Sequence, residues 1–325
     1  MTGKEDTLRI DIIIPVYKPD DKLKRLFRGI ASQTVKPDNI IVMYTKSSPD
    51  DHFAPDYIEE GMKAAGDLKV YEIERNEFDH GGTRAAAVSL SHSSVFIMMT
   101  MDAVPADEHF IERLIAIFDK DMYVGAAYGR QLPDDSSSLA ERFTRGFNYP
   151  ATPVLKSKED IDRLGIKTFF CSNVCAAYSR DIYNKLGGFI DRTIFNEDMI
   201  FAHKVIMNGY KIYYAADAGV IHSHDYTPMQ QFHRNFDLAV SQAMHPEVFE
   251  GVSSESEGAR YIKSAYRYFK DAGKGYMIVP FVWGCCFRYA GYLLGKRYDK
   301  LPMKLVKACA MNKGFFGERE NVRSK

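Results

Sequence analysis

One tryptophan and five cysteines in 325 residues exclude more than they supply. Cys171, Cys175, Cys285, Cys286 and Cys309 are odd in number and fit no zinc-module spacing, so neither a disulfide framework nor a structural zinc is expected. They read as reduced thiols acting as small apolar side chains. Net charge is also missing, with 43 Lys/Arg against 43 Asp/Glu. No repeat or low-complexity tract breaks the chain, and 46% apolar with 13% aromatic residues can build a large core, which excludes disorder over most of the length. The opening MTGKEDTLRIDIIIPVYKPD has too short an apolar run, flanked by acids, for a signal peptide. A cytoplasmic protein is expected.

The zero charge conceals a division. Residues 260–325 carry 15 Lys/Arg and 4 Asp/Glu, leaving 28 against 39 in residues 1–259. A basic tail on an acidic body implies an anionic partner, either a membrane surface or a nucleic acid. Tyr276–Leu294 is mostly apolar but holds Pro280 and Arg288. A spanning helix needs about 20 apolar residues, and an arginine at its centre costs roughly 2.5–3.5 kcal/mol, so helices lying in the interface are expected. Tyr261, Tyr266, Tyr268, Trp283, Tyr289, Tyr292 and Tyr298 suit that depth, and Lys296, Arg297, Lys300, Lys304 and Lys307 suit anionic head groups. The tail is too apolar for a surface that tracks phosphates with Lys/Arg, so no nucleic-acid partner is expected.

What is present, from the start, is a series of β-branched runs separated by helical periods. Ile10–Tyr17, Asn39–Tyr44, Leu68–Glu74, Val95–Thr100 and Tyr123–Arg130 read as buried strands, with amphipathic helices between them. That alternation predicts an α/β, Rossmann-like, doubly wound and mostly parallel sheet, whose ligands sit beyond the carboxyl ends of its strands. Val16-Tyr17, Tyr44-Thr45, Asn76–Arg84 and Asp102 fall at those ends. Further on, Phe169–Tyr178 reads as a strand, Asn196–Met207 as a helix, and Ile212–Ala215 and Gly219–His222 as short strands. Beyond Pro228 the pattern is helical.

Five segments carry chemistry. Asp102, in a tight turn after an apolar strand, can bind a divalent cation that grips a diphosphate. Gly81-Gly82 at a helix start can expose N–H groups to anionic oxygens, and Arg84 can add a bidentate contact. Glu197 and Asp198 stand at a helix N-terminus, which favours acids in any case, and one of them can take a proton from an attacking hydroxyl. His222 and His224 share a strand face and can complete a metal site with Asp102. Ser172 and Asn173 can line an acceptor pocket. Each segment also has a plain structural reading, as turn carboxylate, helix cap, dipole-favoured acids, hydrogen-bonded histidine pair or packed strand start.

In this order the segments resemble the family 2 glycosyltransferases of the GT-A fold, over roughly residues 8–227. The matching elements are Ile13-Ile14-Pro15-Val16-Tyr17, Gly81–Arg84, Asp102, Gly187-Gly188-Phe189, Asn196-Glu197-Asp198 and His222–His224. Phe78–Arg84, Met101–Pro105 and Val220–Tyr226 are similar to the bacterial rhamnosyltransferase branch. The resemblance implies an inverting enzyme at the inner face of the membrane. It would move L-rhamnose from dTDP-L-rhamnose to a saccharide or lipid-linked saccharide in O-antigen, capsule or other cell-surface polysaccharide synthesis. Asp198 would be the catalytic base, and Glu197 would position the acceptor or the base. Pro15, Val16, Tyr17, Tyr44, Asp79, His80, Gly81, Gly82, Arg84, Asp102 and Ala103 would bind the donor, and Ser172, Asn173 and Asn196 the acceptor. Asp102, His222 and His224 would hold Mg²⁺ or Mn²⁺.

The expected division is a catalytic domain over 1–227, with a donor half at about 8–131 and an acceptor half at about 132–227, followed by a membrane-associated helical region over 228–325. Two departures from the family pattern stand out. The family often has Asp-x-Asp, but here Asp102 is followed by Ala103 and Val104, and the second strand ends in Met43-Tyr44-Thr45-Lys46-Ser47 rather than an acid. A UDP-hexose donor, or a non-catalytic membrane-bound module that binds sugar nucleotides, are the competing expectations.

Overall fold

Ile10, Ile12, Ile13 and Ile14 are all buried, as a strand covered on both faces requires, and Ile10–Tyr17 is β1 of the computed structural model. The structure describes residues 8–250 and 255–317; the expectations for Met1–Thr7 and for the last basic residues, Arg319, Arg323 and Lys325, lie outside them. After β1 come α1 (Asp21–Ala31), β2 (Asn39–Thr45), α2 (Pro55–Met62), β3 (Asp67–Ile73), α3 (His80–Ser89), β4 (Val95–Met99), β5 (Val104–Pro105), α4 (Phe110–Ile115) and β6 (Val124–Leu132). Then follow α5 (Leu139–Asn148), β7 (Val154–Lys156), α6 (Ile161–Leu164), β8 (Cys175–Ser179), α7 (Arg180–Lys185), α8 (Glu197–Met207) and β9 (Lys211–Ile221). The helices α9 (Pro228–Met244), α10 (Pro246–Phe249), α11 (Glu255–Asp271), α12 (Ile278–Gly295) and α13 (Met303–Cys309) complete the described chain.

The expected alternation holds through β4. β1 pairs in parallel with β2 and β4, and β2 with β3. β8 then inserts antiparallel between β4 and β6, so the fifth strand of the alternation is not a neighbour of the fourth. β6 and β9 are parallel, while β5 and β7 pair antiparallel with β9. The sheet order is β3-β2-β1-β4-β8-β6-β9-β5. It is the expected largely parallel sheet, with the helical C-terminal region beside it.

Three local expectations change. The strand expected over Phe169–Tyr178 begins only at Cys175, because Gly165–Phe169 is a 3₁₀ turn and the N–H of Asn173 is given to a side chain rather than to a neighbouring strand. Ile212–Ala215 and Gly219–His222 belong to one strand that carries a register shift opposite Gly129 and Arg130. β5 and β7, of two and three residues, are too short to show a period.

β5 matters more than its length suggests. Its Val104 pairs with Ile221, which brings the residue after β9, His222, beside the turn after β4 that holds Asp102. Two segments far apart in sequence thus meet because a two-residue strand ties them.

The C-terminal helices pack closely on one another and on the sheet-bearing body. A Cβ at Gly291 of α12 would lie 2.2 Å from the carbonyl oxygen of Phe232 in α9, and one at Gly295 would lie 2.4 Å from that of Phe236. Two glycines one turn apart therefore let the helix backbones touch. Ile194, just ahead of α8, is buried with Phe236, Val240, Val306 and Phe316, so the tail also anchors the loop that leads into α8. The outward side of α12 exposes Val279, Trp283, Tyr289 and Leu293, and Tyr276 is exposed in the turn just before it. Gly275–Gly295, 21 residues, is long and apolar enough to cross a membrane, with mean hydropathy 1.4 over an 18-residue window. Arg288, which argued against a span, turns inward to give an N–H to Tyr261 Oη at 3.3 Å.

Candidate active site

Asp102 and the two histidines form a tight cluster. Asp102 Oδ2 lies 3.2 Å from His224 Nε2, and Oδ1 lies 3.5 Å from His222 Nε2. The two Nε2 atoms are 3.1 Å apart, and one ligand atom from each residue falls within 4.8 Å of the others. His222 Nδ1 sits 3.0 Å from Gln131 Oε1, which can only accept, so Nδ1 carries the proton and Nε2 presents a lone pair to the cluster. Gln131 Oε1 also accepts from Arg145 Nη1. Arg145 Nε donates to Glu141 Oε1 at 2.6 Å, and that same oxygen takes the backbone N–H of His224 at 3.2 Å. One side of α5 therefore aims both histidines.

Burial pushes the Asp102 carboxyl up, but the hydrogen bond from His224 and the electrostatic influence of the adjoining imidazoles outweigh it and hold the group below its usual range. Burial lowers His222 to about 3, which keeps its imidazole neutral. A carboxylate facing neutral imidazole nitrogen is a donor set that fits a divalent cation.

The acid pair is built differently. Asn196 adopts a left-handed backbone, φ 64°, a conformation asparagine tolerates better than most residues. That turn launches α8 with Glu197 and Asp198 in its first turn. Asn173 holds both acids. Its backbone N–H donates to Asp198 Oδ2 at 3.0 Å and its side-chain amide to Glu197 Oε1 at 3.0 Å. Its own carbonyl accepts from Tyr178 Oη at 2.7 Å. Arg84 Nε lies 3.3 Å from Glu197 Oε1, with both side chains buried. Burial alone would raise Glu197, but the Arg84 charge brings it below its usual value. Asp198 is pushed up to about 7, by burial first and by the Glu197 charge second. Two adjacent carboxyls driven apart in this way are the pattern of an acid–base pair at neutral pH.

Asp102, Glu197 and Asp198 line one cavity of about 770 Å³. Tyr128, Lys156, Arg234 of α9 and Arg288 of α12 are also in its wall. A smaller cavity of about 270 Å³ lies against Asp102 as well, with Lys22, Arg25, Ser136 and Ser137 in its wall. The region expected as a separate helical tail thus contributes to the wall of the main cavity.

The other expected residues divide. His80, Arg84, Ser172, Asn173, Asn196, His222 and His224 line the large cavity. Pro15, Val16, Tyr17, Tyr44 and Ala103 stay at the carboxyl ends of their strands and do not. Val16, Tyr44 and Ala103 pack their side chains into the core, so only their backbones remain to face a ligand. The N–H groups of Gly81 and Gly82 are not presented to an anion, since Asp79 Oδ1 takes them at 2.9 and 2.8 Å as the cap of α3. Arg84 forms an ion pair with Glu197 and gives an N–H to the His80 carbonyl, and the Asn173 side chain bonds to Glu197 and Tyr178. Gln131, Glu141, Arg145 and Arg234 were not foreseen. Glu141 and Arg145, at i and i+4 on an amphipathic helix, carried a signal indistinguishable from a surface ion pair.

This arrangement can be set beside known proteins. Residues 11–187 match the model of glycosyl transferase family 2. The chain is 36% identical to the O-antigen chain rhamnosyltransferase RfbN of Salmonella typhimurium, over 98% of this chain and 99% of that one. It is 35% identical to the O-antigen chain rhamnosyltransferase WbaN of Salmonella anatum, over 97% and 98%. Among solved structures, the mannosyltransferase PcManGT of Pyrobaculum calidifontis, in complex with GDP-Man and Mn²⁺, superposes with a TM-score of 0.59 at 15% identity, covering 90% of this chain and 88% of that one. S. aureus TarS 1–349 gives 0.50 at 12% identity, over 90% and 91%. These two likenesses establish the GT-A fold. With a sheet of this order, a carboxylate–histidine cluster and an acid pair on one cavity, and relatives matched nearly end to end, the chain belongs to glycosyltransferase family 2 and is a glycosyltransferase.

Proposed function

We propose that the enzyme transfers L-rhamnose from dTDP-L-rhamnose to a saccharide or lipid-linked saccharide acceptor, with inversion, in the synthesis of a cell-surface polysaccharide. The observation that carries this reading is that Asp102 and Asp198 open onto the same cavity, one held ionised and the other near neutrality. The rhamnose assignment draws on the two O-antigen rhamnosyltransferase relatives. Asp102, His222 and His224 would hold Mg²⁺ or Mn²⁺, which when bound neutralises a departing diphosphate, a Lewis-acid contribution of several kcal/mol. Asp198 removes the proton from an acceptor hydroxyl whose oxygen then attacks the anomeric carbon. Arg84 keeps Glu197 ionised, and Glu197 in turn keeps Asp198 basic enough to accept that proton. The test is thermal protection and donor hydrolysis across a set of nucleotide sugars. dTDP-L-rhamnose with Mn²⁺ is expected to raise the melting temperature by several degrees, while protection by a UDP-hexose alone would replace the donor.

The same reading includes a peripheral position on the inner face of the membrane. It is supported by the exposed Tyr276 before α12 and the exposed stripe Val279, Trp283, Tyr289 and Leu293 on it, followed by Lys296, Arg297 and Lys300. Aromatic and basic side chains together bind the interface of anionic lipid. Flotation of the intact chain with vesicles containing anionic lipid is expected, and a Trp283→Glu, Val279→Glu variant is expected to remain at the bottom of the gradient with its melting temperature unchanged. Equal flotation of both chains would remove α12 from this role.

A further inference from the structure

We infer that Ser241 of α9 is a positioning residue for the reaction: its hydroxyl holds the Phe195 carbonyl, and through it the left-handed turn at Asn196 that aims Asp198 into the cavity. This rests on the reading above that Asp198 is the base. Ser241 lies in the region expected as a membrane-associated tail, and it is fully buried, as is Thr193. A serine inside a helix often returns its hydroxyl to the carbonyl one turn back. Ser241 Oγ instead reaches out of α9 and donates to the Phe195 carbonyl at 2.6 Å. Thr193 Oγ1 donates to the same oxygen at 2.7 Å, so both of its lone pairs are taken.

These bonds act on the acid pair through one peptide. The Phe195 carbonyl belongs to the peptide that enters Asn196, so holding it fixes the plane from which the Asn196 φ of 64° turns. The Asn196 side chain is held by the same helix, with Nδ2 donating to the Leu238 carbonyl at 3.3 Å. Leu238 and Ser241, three residues apart, share one face of α9. A residue other than glycine keeps a left-handed backbone only where its surroundings over-determine it, and that face of α9 supplies the constraint. Glu197 and Asp198 follow at once in the first turn of α8. Asn173, just ahead of β8, holds their carboxylates from the other side.

α9 is itself held still. His233 Nδ1 donates to the Cys309 carbonyl at 2.7 Å, and Asp237 Oδ2 accepts the N–H of Asn312 at 2.8 Å. Ile194 packs with Phe236 and Val240 of the same helix. The turn that launches α8 therefore rests on a surface braced by the C-terminal helices. Neither Ser241 nor Thr193 lines the cavity, so their effect falls on where Asp198 sits and not on what the cavity binds. A base must stay within hydrogen-bond reach of the proton it takes, and a displacement of about 1 Å can cost about 10²-fold in rate.

The test compares Ser241→Ala with the wild type in the full chain. kcat is expected to fall about 10- to 100-fold, while KM for the donor stays within about twofold. Ser241→Cys leaves a weak donor in the same place and is expected to keep more of kcat than the alanine variant does. In an Asp198→Asn background, Ser241→Ala is expected to add no further loss, because residues that act as one unit are not additive. A role confined to stability would lower turnover by the same factor in both backgrounds. If the alanine variant does not fold, Thr193→Val decides, since it removes the other bond to the Phe195 carbonyl and is expected to lower kcat in the same way. kcat within about threefold of wild type in the deciding variant, or an equal loss in the Asp198→Asn background, overturns the proposal. Transfer that persists in Asp198→Asn alone would sink the base reading, whereas an inactive Asp198→Asn beside a fully active Ser241→Ala would sink only the role of Ser241.

Discussion

Asp198→Asn is expected to abolish sugar transfer while leaving donor affinity close to that of the wild type. The amide keeps the shape of the side chain and can still accept the N–H of Asn173 that now reaches Asp198 Oδ2, but it cannot take a proton. General-base catalysis typically contributes about 10²–10⁴-fold, and the upper part of that range applies where no second base is available. Glu197 is not one, since it is engaged by Arg84 and Asn173. The wild-type pH profile makes the same point. Asp198 acts only when ionised, and burial with the neighbouring Glu197 charge places its pKa at about 7. kcat/KM is therefore expected to rise as pH increases through about 7 and to level above it, and residual turnover in the asparagine variant is expected to lack that rise.

Stability should move the other way. The folded protein holds the Asp198 proton more tightly than the unfolded chain does, so native stability falls as pH climbs from the ordinary carboxyl range through the raised value. The asparagine variant removes that loss, and at pH 8 its melting temperature is expected to equal or exceed that of the wild type. A variant that still transfers sugar at a tenth of the wild-type rate or better would take the base assignment away from Asp198.

What could be read before the structure, and what could not, follows from how locally each feature is encoded. The parallel strands β1 to β4 and their helices were legible because each is a run of buried apolar residues with its own period. Asp102, Glu197, Asp198, His222 and His224 were legible as chemistry at strand and helix ends. Their convergence was expected from the strand-end rule and from the resemblance, but the pairings that produce it, β5 with β9 and β8 entering the sheet backwards, leave no mark in a single segment. The cap that Asp79 makes to Gly81 and Gly82 was not legible for a related reason: a cap residue and an anion compete for the same N–H groups, and the sequence does not say which has them. Arg84 and Asn173 pointed to substrate by residue type alone, yet their partners are Glu197 and Asp198, more than twenty residues away along the chain.

The second large effect is expected at Asp102. Asp102→Ala removes the only carboxylate among the described residues of the cluster and leaves two imidazoles facing each other at 3.1 Å. Where the family often has a second acid two positions on, this chain has Val104, with Ala103 between, so nothing nearby substitutes. Mn²⁺ affinity measured by calorimetry is expected to fall at least about a hundredfold, more than the roughly 10–100-fold typical of losing an orienting partner outside the ligand set. Gln131→Leu, which frees His222 Nδ1, is the comparison and should show that milder loss. Donor affinity and turnover should fall with metal affinity in the alanine variant, and EDTA should reproduce the effect in the wild type. Two nitrogen donors also suit Mn²⁺ better than Mg²⁺, which demands oxygen ligands in near-ideal octahedral geometry, so reactivation after EDTA is expected at lower Mn²⁺ than Mg²⁺. If chelation left turnover intact while Asp102→Ala abolished it, the carboxylate would be acting on the histidines directly. The leaving diphosphate would then depend on the protein's own cations.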